Sequence, residues 1–251
     1  MAIYSEQQAK AILDRAIGLS KADQCVATLS GSSAGNIRYA LNGVSTSGHV
    51  SDADLAVEVA FGKRVGTATT NRFDEASIEA VVRRAEELAR LAPENPEFVP
   101  AIAPQVYKAS DTFAGGTAAI TPQYRAQVAA ACIEPCRREH LVAAGFFADA
   151  QNFNALANSK GNFGYQKSAA MDFTCTVRTD DGRGSGWVAR NLLDVEVRSE
   201  SRDPLGDRAC EDVGRGEDAR AGQVHRGVRA AGARSVDAVP RFRCARGGRR
   251  A

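Results

Sequence analysis

Cysteine and histidine are the side chains from which a zinc site would be built, and the chain has six and three of them. Cys132, Cys136 and His140 recur every four residues. On an unbroken helix that spacing would stack two thiols and an imidazole on one face. Pro135 interrupts the stretch and no fourth ligand stands nearby, so the spacing reads as a helix face rather than a metal site. Neither His49-Val50 nor His225-Arg226 opens an H-E-x-x-H pair, so the commonest helical zinc-hydrolase constellation is absent. Gly31-Ser32-Ser33-Ala34-Gly35 spells G-x-S-x-G, but a nucleophile elbow needs a helix after it. Residues 37–41 read as a strand instead, which makes the run a hairpin turn. Gly182-Arg183-Gly184-Ser185-Gly186 opens no helix that could cradle a phosphate, and Gly62-Lys63-Arg64 lacks the rest of a P-loop. Asp180-Asp181 serves turn geometry. No self-contained catalytic constellation emerges, and no metal or other cofactor is expected to be held by this chain.

The elements that would position such residues fall into two groups. Ser5 with Gln8 forms a capping box before Ala9, Ile12, Leu13, Ala16 and Ile17, which share one helical face. Strands are expected at 24–30, 37–41 and 55–61, with residues 31–36 as a turn. Gly62-Lys63 then turns the chain into a hairpin partner at 64–69. Asp74 caps a second helix carrying Ile78, Val81, Val82, Ala85, Leu88 and Ala89, and Pro93 ends it. Residues 1–92 thus read as an α+β domain, helices packed on one antiparallel sheet. Four prolines and a Gly-Gly pair mark 93–119 as a linker. A third helix starts at Thr121-Pro122 and is ended or kinked by Pro135. Period-two patterns follow at 141–147, 150–156, 169–177 and 185–189, separated by turns at 159–162 and Asp181-Gly182. Residues 120–200 therefore read as a central domain of one helix and an antiparallel meander.

The charge is unevenly distributed. The 251 residues carry a formal net charge of +2, yet residues 1–200 sum to −3 and residues 201–251 to +5. That last segment holds 12 arginines, no lysine and 7 acids, with Leu205 and Phe242 its only large apolar side chains apart from valine. Such a composition cannot bury enough surface to offset chain entropy, and disorder is expected there. No apolar run reaches the roughly 20 residues of a membrane span. The N-terminus has no basic and apolar regions of a secretory signal, and the cysteines are scattered, so a cytoplasmic protein with reduced thiols is expected.

Residues 38–43 (RYALNG) and 57–70 (VEVAFGKRVGTATT), with the V-V-x-x-A-x-x-x-A rhythm of the helix from Val81, resemble the TldD/PmbA family. The resemblance covers residues 5–92 and extends through 121–198. It implies a cytoplasmic zinc metallopeptidase that acts on unfolded or modified peptides as a pair of related or identical subunits. In that family the first two domains wall a chamber. A third carries an H-E-x-x-x-H helix plus a cysteine ligand, holding the zinc whose bound water attacks the peptide. No such helix occurs here, so no zinc ligand carries over, and the resemblance implies a truncated subunit inactive alone. Arg38, Asn42, Arg64 and Thr70 are the candidates for chamber or interface surface. Residues 222–243, back-translated with permitted codons and read one base later, can give a strand followed by an amphipathic stretch; 201–251 is accordingly expected to be an out-of-frame tail. The alternative is a non-enzymatic scaffold whose basic tail contacts nucleic acid with salt-dependent affinity. The diluting acids and the lack of aromatics interleaved with the arginines of the tail argue against it.

Overall fold

The computed structural model describes residues 3–193. In chain order these form α1 (Glu6–Leu19), β1 (Gln24–Ala40), β2 (Gly43–Phe61), β3 (Arg64–Thr70) and α2 (Glu75–Leu91), followed by the single-turn α3 (Gly115–Ala118) and α4 (Pro122–Arg138). The last elements are β4 (Leu141–Asn158), β5 (Phe163–Thr179) and β6 (Ser185–Leu192). The strands make one six-stranded antiparallel sheet in the order β3-β2-β1-β4-β5-β6, so the fold class is α+β as the sequence patterns indicate. The disorder and frame expected for 201–251 lie outside the described residues.

The chain divides into two compact units, with the boundaries falling inside β1, β2, β4 and β5. The first contains residues up to Ser33, Val50–Thr112 and Gln151–Ser168. Its helices begin as their sequences dictate. Ser5 and Gln8 complete a reciprocal capping box, and the Asp74 carboxylate accepts from the Ser77 amide at 3.0 Å. Ala9, Leu13 and Ala16 of α1 and Ile78, Val82, Ala85 and Ala89 of α2 pack on Leu29, Leu55, Val57, Val59 and Phe153. Gly62, with φ of 58°, supplies the left-handed residue of the β2–β3 turn, and Phe61 pairs with Arg64. Gly66 lies directly beneath α2: a Cβ there would meet the Ala85 carbonyl oxygen and Ala89 nitrogen at 2.3 Å. The two glycines of G-K-R-x-G are thus a turn residue and a helix seat.

The second unit contains Ala34–His49, Phe113–Ala150 and the chain from Ala169. Thr121 caps α4, which lays Val128, Ala129, Cys132, Ile133 and Cys136 on Ile37, Tyr39, Ala143, Phe147, Met171, Phe173 and Cys175. The alternation expected for 169–177 is observed, with the odd residues buried.

Four expectations are corrected. Residues 31–36 do not form a turn but the middle of the 17-residue β1, and 141–156 is part of one strand, β4. Glycine, serine and asparagine favour turns locally, but β1 lies between β2 and β4, and pairing on both edges overrides that preference. The strand expected at 55–61 begins at Gly43, with β1 as the neighbour along the added residues. Pro135 does not end α4: the helix continues to Arg138, and the Glu139 amide donates to the Pro135 carbonyl at 3.1 Å. A proline so near the terminus removes a single helical donor.

Candidate functional site

In the first unit, core-facing Leu29, Ala53, Phe153 and Tyr165 alternate with residues directed to the opposite face. On that face Ser30 and Ser32 of β1, Asp52 and Asp54 of β2, Asn152 and Asn154 of β4, and Gln166 and Ser168 of β5 line an open cleft of about 470 Å³. The Ser30 hydroxyl donates to Asp54 Oδ1 at 3.1 Å, and the Ala53 amide donates to Asp52 Oδ1 at 2.8 Å. Gln166 Nε2 lies 3.4 Å from the Ser110 and Thr112 hydroxyl oxygens, and Thr112 donates to the Lys167 carbonyl at 3.0 Å. The arrangement presents amides, hydroxyls and two carboxylates in adjacent rows spaced about 4.8 Å apart. Hydrogen bonding and charge pairing are its chemistry. The signal was a polar pair in strand phase (S-x-S, D-x-D, N-x-N, Q-x-S), divided among four strands that no single sequence window joins.

The four residues singled out from sequence are not brought together in one unit. Arg38 and Asn42 belong to the second, Arg64 and Thr70 to the first. Arg38 is exposed, with its guanidinium 5.2 Å from the centre of the Phe146 ring. Asn42, at φ 58°, is bonded through every polar group. Its amide donates to the Ala143 carbonyl at 3.2 Å, Nδ2 donates to Leu141 and Oδ1 accepts from Ala143 at 2.7 Å each, and its carbonyl accepts from Arg137 at 2.6 Å. Arg64 is exposed at the start of β3, and Thr70 stands at the other end, its hydroxyl accepting from the Arg72 amide at 3.2 Å.

The glycine-serine run that resembles a nucleophile elbow has another use. Gly35 leaves room for Arg125: a Cβ there would lie 1.8 Å from a guanidinium nitrogen. Arg125 is buried and donates to both carboxylate oxygens of buried Asp149, at 2.5 and 3.0 Å. Nearby in sequence, Gly145 makes room for the Tyr39 hydroxyl, which donates to the Thr174 carbonyl at 3.2 Å. Burial, reinforced by Cys132 and Cys175, holds that hydroxyl far above the usual phenol range. A hydrogen bond with Cys175 and burial likewise keep the Cys132 thiol neutral. Burial pushes the Cys25 thiol up to about 11, against a lowering hydrogen bond with Ser20. A buried neutral thiol is a poor nucleophile, so Cys25 and Cys132 are packing groups.

Cys132, Cys136 and His140 do not form a ligand set. Both thiols are buried in the core, whereas His140 is exposed beyond the end of α4 with φ of 56°. Among the described residues no three His, Cys, Asp or Glu side chains are grouped to hold a metal ion, so the donors present do not fit a catalytic zinc. Nor is any helix among them long and apolar enough to cross a membrane.

Residues 27–89 match the first domain of the PmbA/TldA metallopeptidases, and residues 123–216 match their central domain, together more than half of the chain. The second match continues past residue 200, where the composition changes. Solved structures share the fold. TldE from Thermococcus kodakarensis is 15% identical with a TM-score of 0.64, over 74% of this chain and 43% of that one. A proposed modulator of DNA gyrase from Thermotoga maritima is 13% identical with a TM-score of 0.67, over 81% and 47%. Another, from Bacteroides thetaiotaomicron, is 17% identical with a TM-score of 0.64, over 84% and 50%. The chain therefore spans half or less of the length of these proteins. No curated protein matches it.

Proposed function

The chain belongs to the PmbA/TldD metallopeptidase family, and from that premise we propose that its described residues wall the substrate chamber of a peptidase rather than form its catalytic centre. The observation that carries this reading is the polar cleft of the first unit. Its rows of hydroxyls, amides and carboxylates suit an extended polypeptide, whose backbone groups need partners at strand spacing. A mainly polar cleft grips what every unfolded peptide has in common, its backbone and polar groups. No hydrolytic step is assigned to residues 3–193. In our reading the zinc ligands come from outside them, and residues 3–193 do not hydrolyse peptides alone.

Exposed Arg38 and Arg64 are assigned to the chamber surface, where a guanidinium can meet a peptide carboxylate. Thr70 is assigned with Arg64 in the first unit, and Asn42 acts by positioning the β1–β2 turn. The four buried free thiols among the described residues support a reducing, cytoplasmic setting, and the family points to work as a pair with a homologous or identical subunit. Fluorescence anisotropy of a labelled unfolded peptide, titrated with the full chain, tests the cleft. Saturable binding, weakened several-fold by Asp52→Asn with Asp54→Asn at unchanged melting temperature, is expected. Equal binding by wild type and the double variant would overturn it.

A further inference from the structure

The cleft of the first unit is a groove with unlike walls. β1 lies between β2 and β4, and its short Ser30, Gly31 and Ser32 form the floor. Asp52 and Asp54 of β2 stand on one side and Asn152 and Asn154 of β4 on the other, two strand spacings or about 10 Å apart. The asparagine wall is neutral, as are Gln166 and Ser168 beyond it. The aspartate wall carries two exposed carboxylates. Asp54 Oδ1 accepts from the Ser30 hydroxyl at 3.1 Å and Asp52 Oδ1 from the Ala53 amide at 2.8 Å, bonds that orient both groups and leave their charge in place. Neither is in an ion pair among the described residues. Lys167, the cation among the lining residues, is in strand phase with core-packed Tyr165, so its side chain leaves β5 on the other side. The face open to a ligand is therefore negative along one wall only.

We infer, resting on the peptide-holding role proposed above, that the cleft selects extended segments with lysine or arginine at alternate positions, and that Asp52 and Asp54 determine this specificity. An extended chain laid along β1 sends successive side chains to opposite walls. Its residues i and i+2 are about 6.7 Å apart, the spacing of Asp52 and Asp54 along their own strand, so two cations meet two carboxylates at once. Residues i+1 and i+3 face the Asn152 and Asn154 carboxamides, which both donate and accept and so tolerate any polar side chain. Each charge pair is exposed to water and gains little, whereas an acidic side chain at the same wall meets its own sign. The aspartate wall thus sorts peptides more than it tightens their binding.

Anisotropy titrations of the full chain with labelled, unstructured peptides of equal length test this. The peptides carry lysines at alternate positions, the same number of adjacent lysines, or glutamine or glutamate in place of the alternate lysines. Each is compared between wild type and variants, so that the arginine-rich residues 201–251, common to all, cancel. Asp52→Asn with Asp54→Asn is expected to weaken the alternate-lysine peptide about 3- to 10-fold more than the glutamine peptide, as two exposed ion pairs allow. The adjacent-lysine peptide is expected to lose less than the alternate one. The difference is expected to shrink as salt rises toward about 1 M. Asp52→Lys with Asp54→Lys is expected to weaken the alternate-lysine peptide and strengthen the glutamate peptide, a reversal that a merely structural role would not produce. Both positions are exposed, and an unchanged melting temperature shows that the variants fold. Equal losses for the lysine and glutamine peptides, equal losses for the two lysine peptides, or no gain for glutamate in the lysine variant overturns the inference. Equal several-fold losses for lysine and glutamine peptides leave the peptide-holding role standing without the selectivity. Binding of no peptide at all removes both.

Discussion

Replacing Gly66 by alanine adds one methyl group at the seat of α2, and the structure gives the size of the effect. The new Cβ would lie 2.3 Å from the Ala85 carbonyl oxygen and the Ala89 nitrogen, and 2.8 Å from the Ala89 Cα. These are backbone atoms of a helix and cannot swing aside, so α2 must retreat by about 1 Å to regain ordinary van der Waals separation. A gap of that size forfeits roughly a quarter to a half of each dispersion contact it opens. The face affected carries Ile78, Val81, Val82, Ala85 and Ala89. Overpacking costs about 1–3 kcal/mol where side chains can adjust, and rigid backbone places Gly66→Ala at or above the upper end. The loss of glycine's unfolded-state freedom returns about 0.5–1 kcal/mol, leaving a net destabilisation of roughly 2–3 kcal/mol. Gly18 in α1 is the control: a Cβ there meets nothing within 4 Å. Gly18→Ala is expected to stabilise by roughly 0.5 kcal/mol. Urea denaturation of both variants reads the contrast. Gly66→Ala matching wild type, or Gly18→Ala costing as much, would refute the packing argument.

The buried pair in the second unit gives a second test. Arg125→Met or Asp149→Leu alone strands a buried charge and is expected to cost about 3–5 kcal/mol, while the double variant recovers most of the loss; a denaturant double-mutant cycle checks the sign. Asn42→Gly keeps the positive φ but removes two side-chain hydrogen bonds, so a loss of about 1–3 kcal/mol is expected, with Asn42→Ala worse. Cys25 supplies a pH test. Its thiol titrates near 9.0 when unburied and about 11 in the fold, so its contribution to stability is complete below pH 9 and is lost as pH rises toward 11. Alkylation followed by peptide mapping should therefore leave Cys25 of the native chain unmodified at pH 9. Rapid modification there would contradict its burial.

Helix starts and the simplest alternations were legible because their causes are local. Ser5 with Gln8, Asp74 with Ser77 and Thr121 with Tyr124 satisfy amides within one turn, and the odd residues of 169–177 report a single buried face. The length of β1 and β4 was not legible, because what holds Gly31-Ser32-Ser33 extended is pairing on both edges, with β2 on one side and the distant β4 on the other. The same limit hid Arg125. A lone arginine on an otherwise apolar helix face gives no sign that Asp149 and the absent side chain of Gly35 await it. The cleft was invisible for a related reason: each strand contributes two polar residues, and only the sheet puts them together. Of the four candidates, Asn42 drew notice as part of a motif, but its hydrogen bonds are those of a turn anchor.

The central claim is that residues 3–193 hold a peptide without cutting it. Incubation of the full chain with zinc and a labelled unfolded peptide, read by anisotropy for binding and by mass spectrometry for cleavage, tests both halves together. The account predicts a bound peptide of unchanged mass, with binding weakened by Asp52→Asn and Asp54→Asn. Zinc-dependent fragments produced by this chain alone, or the absence of any binding, would contradict it.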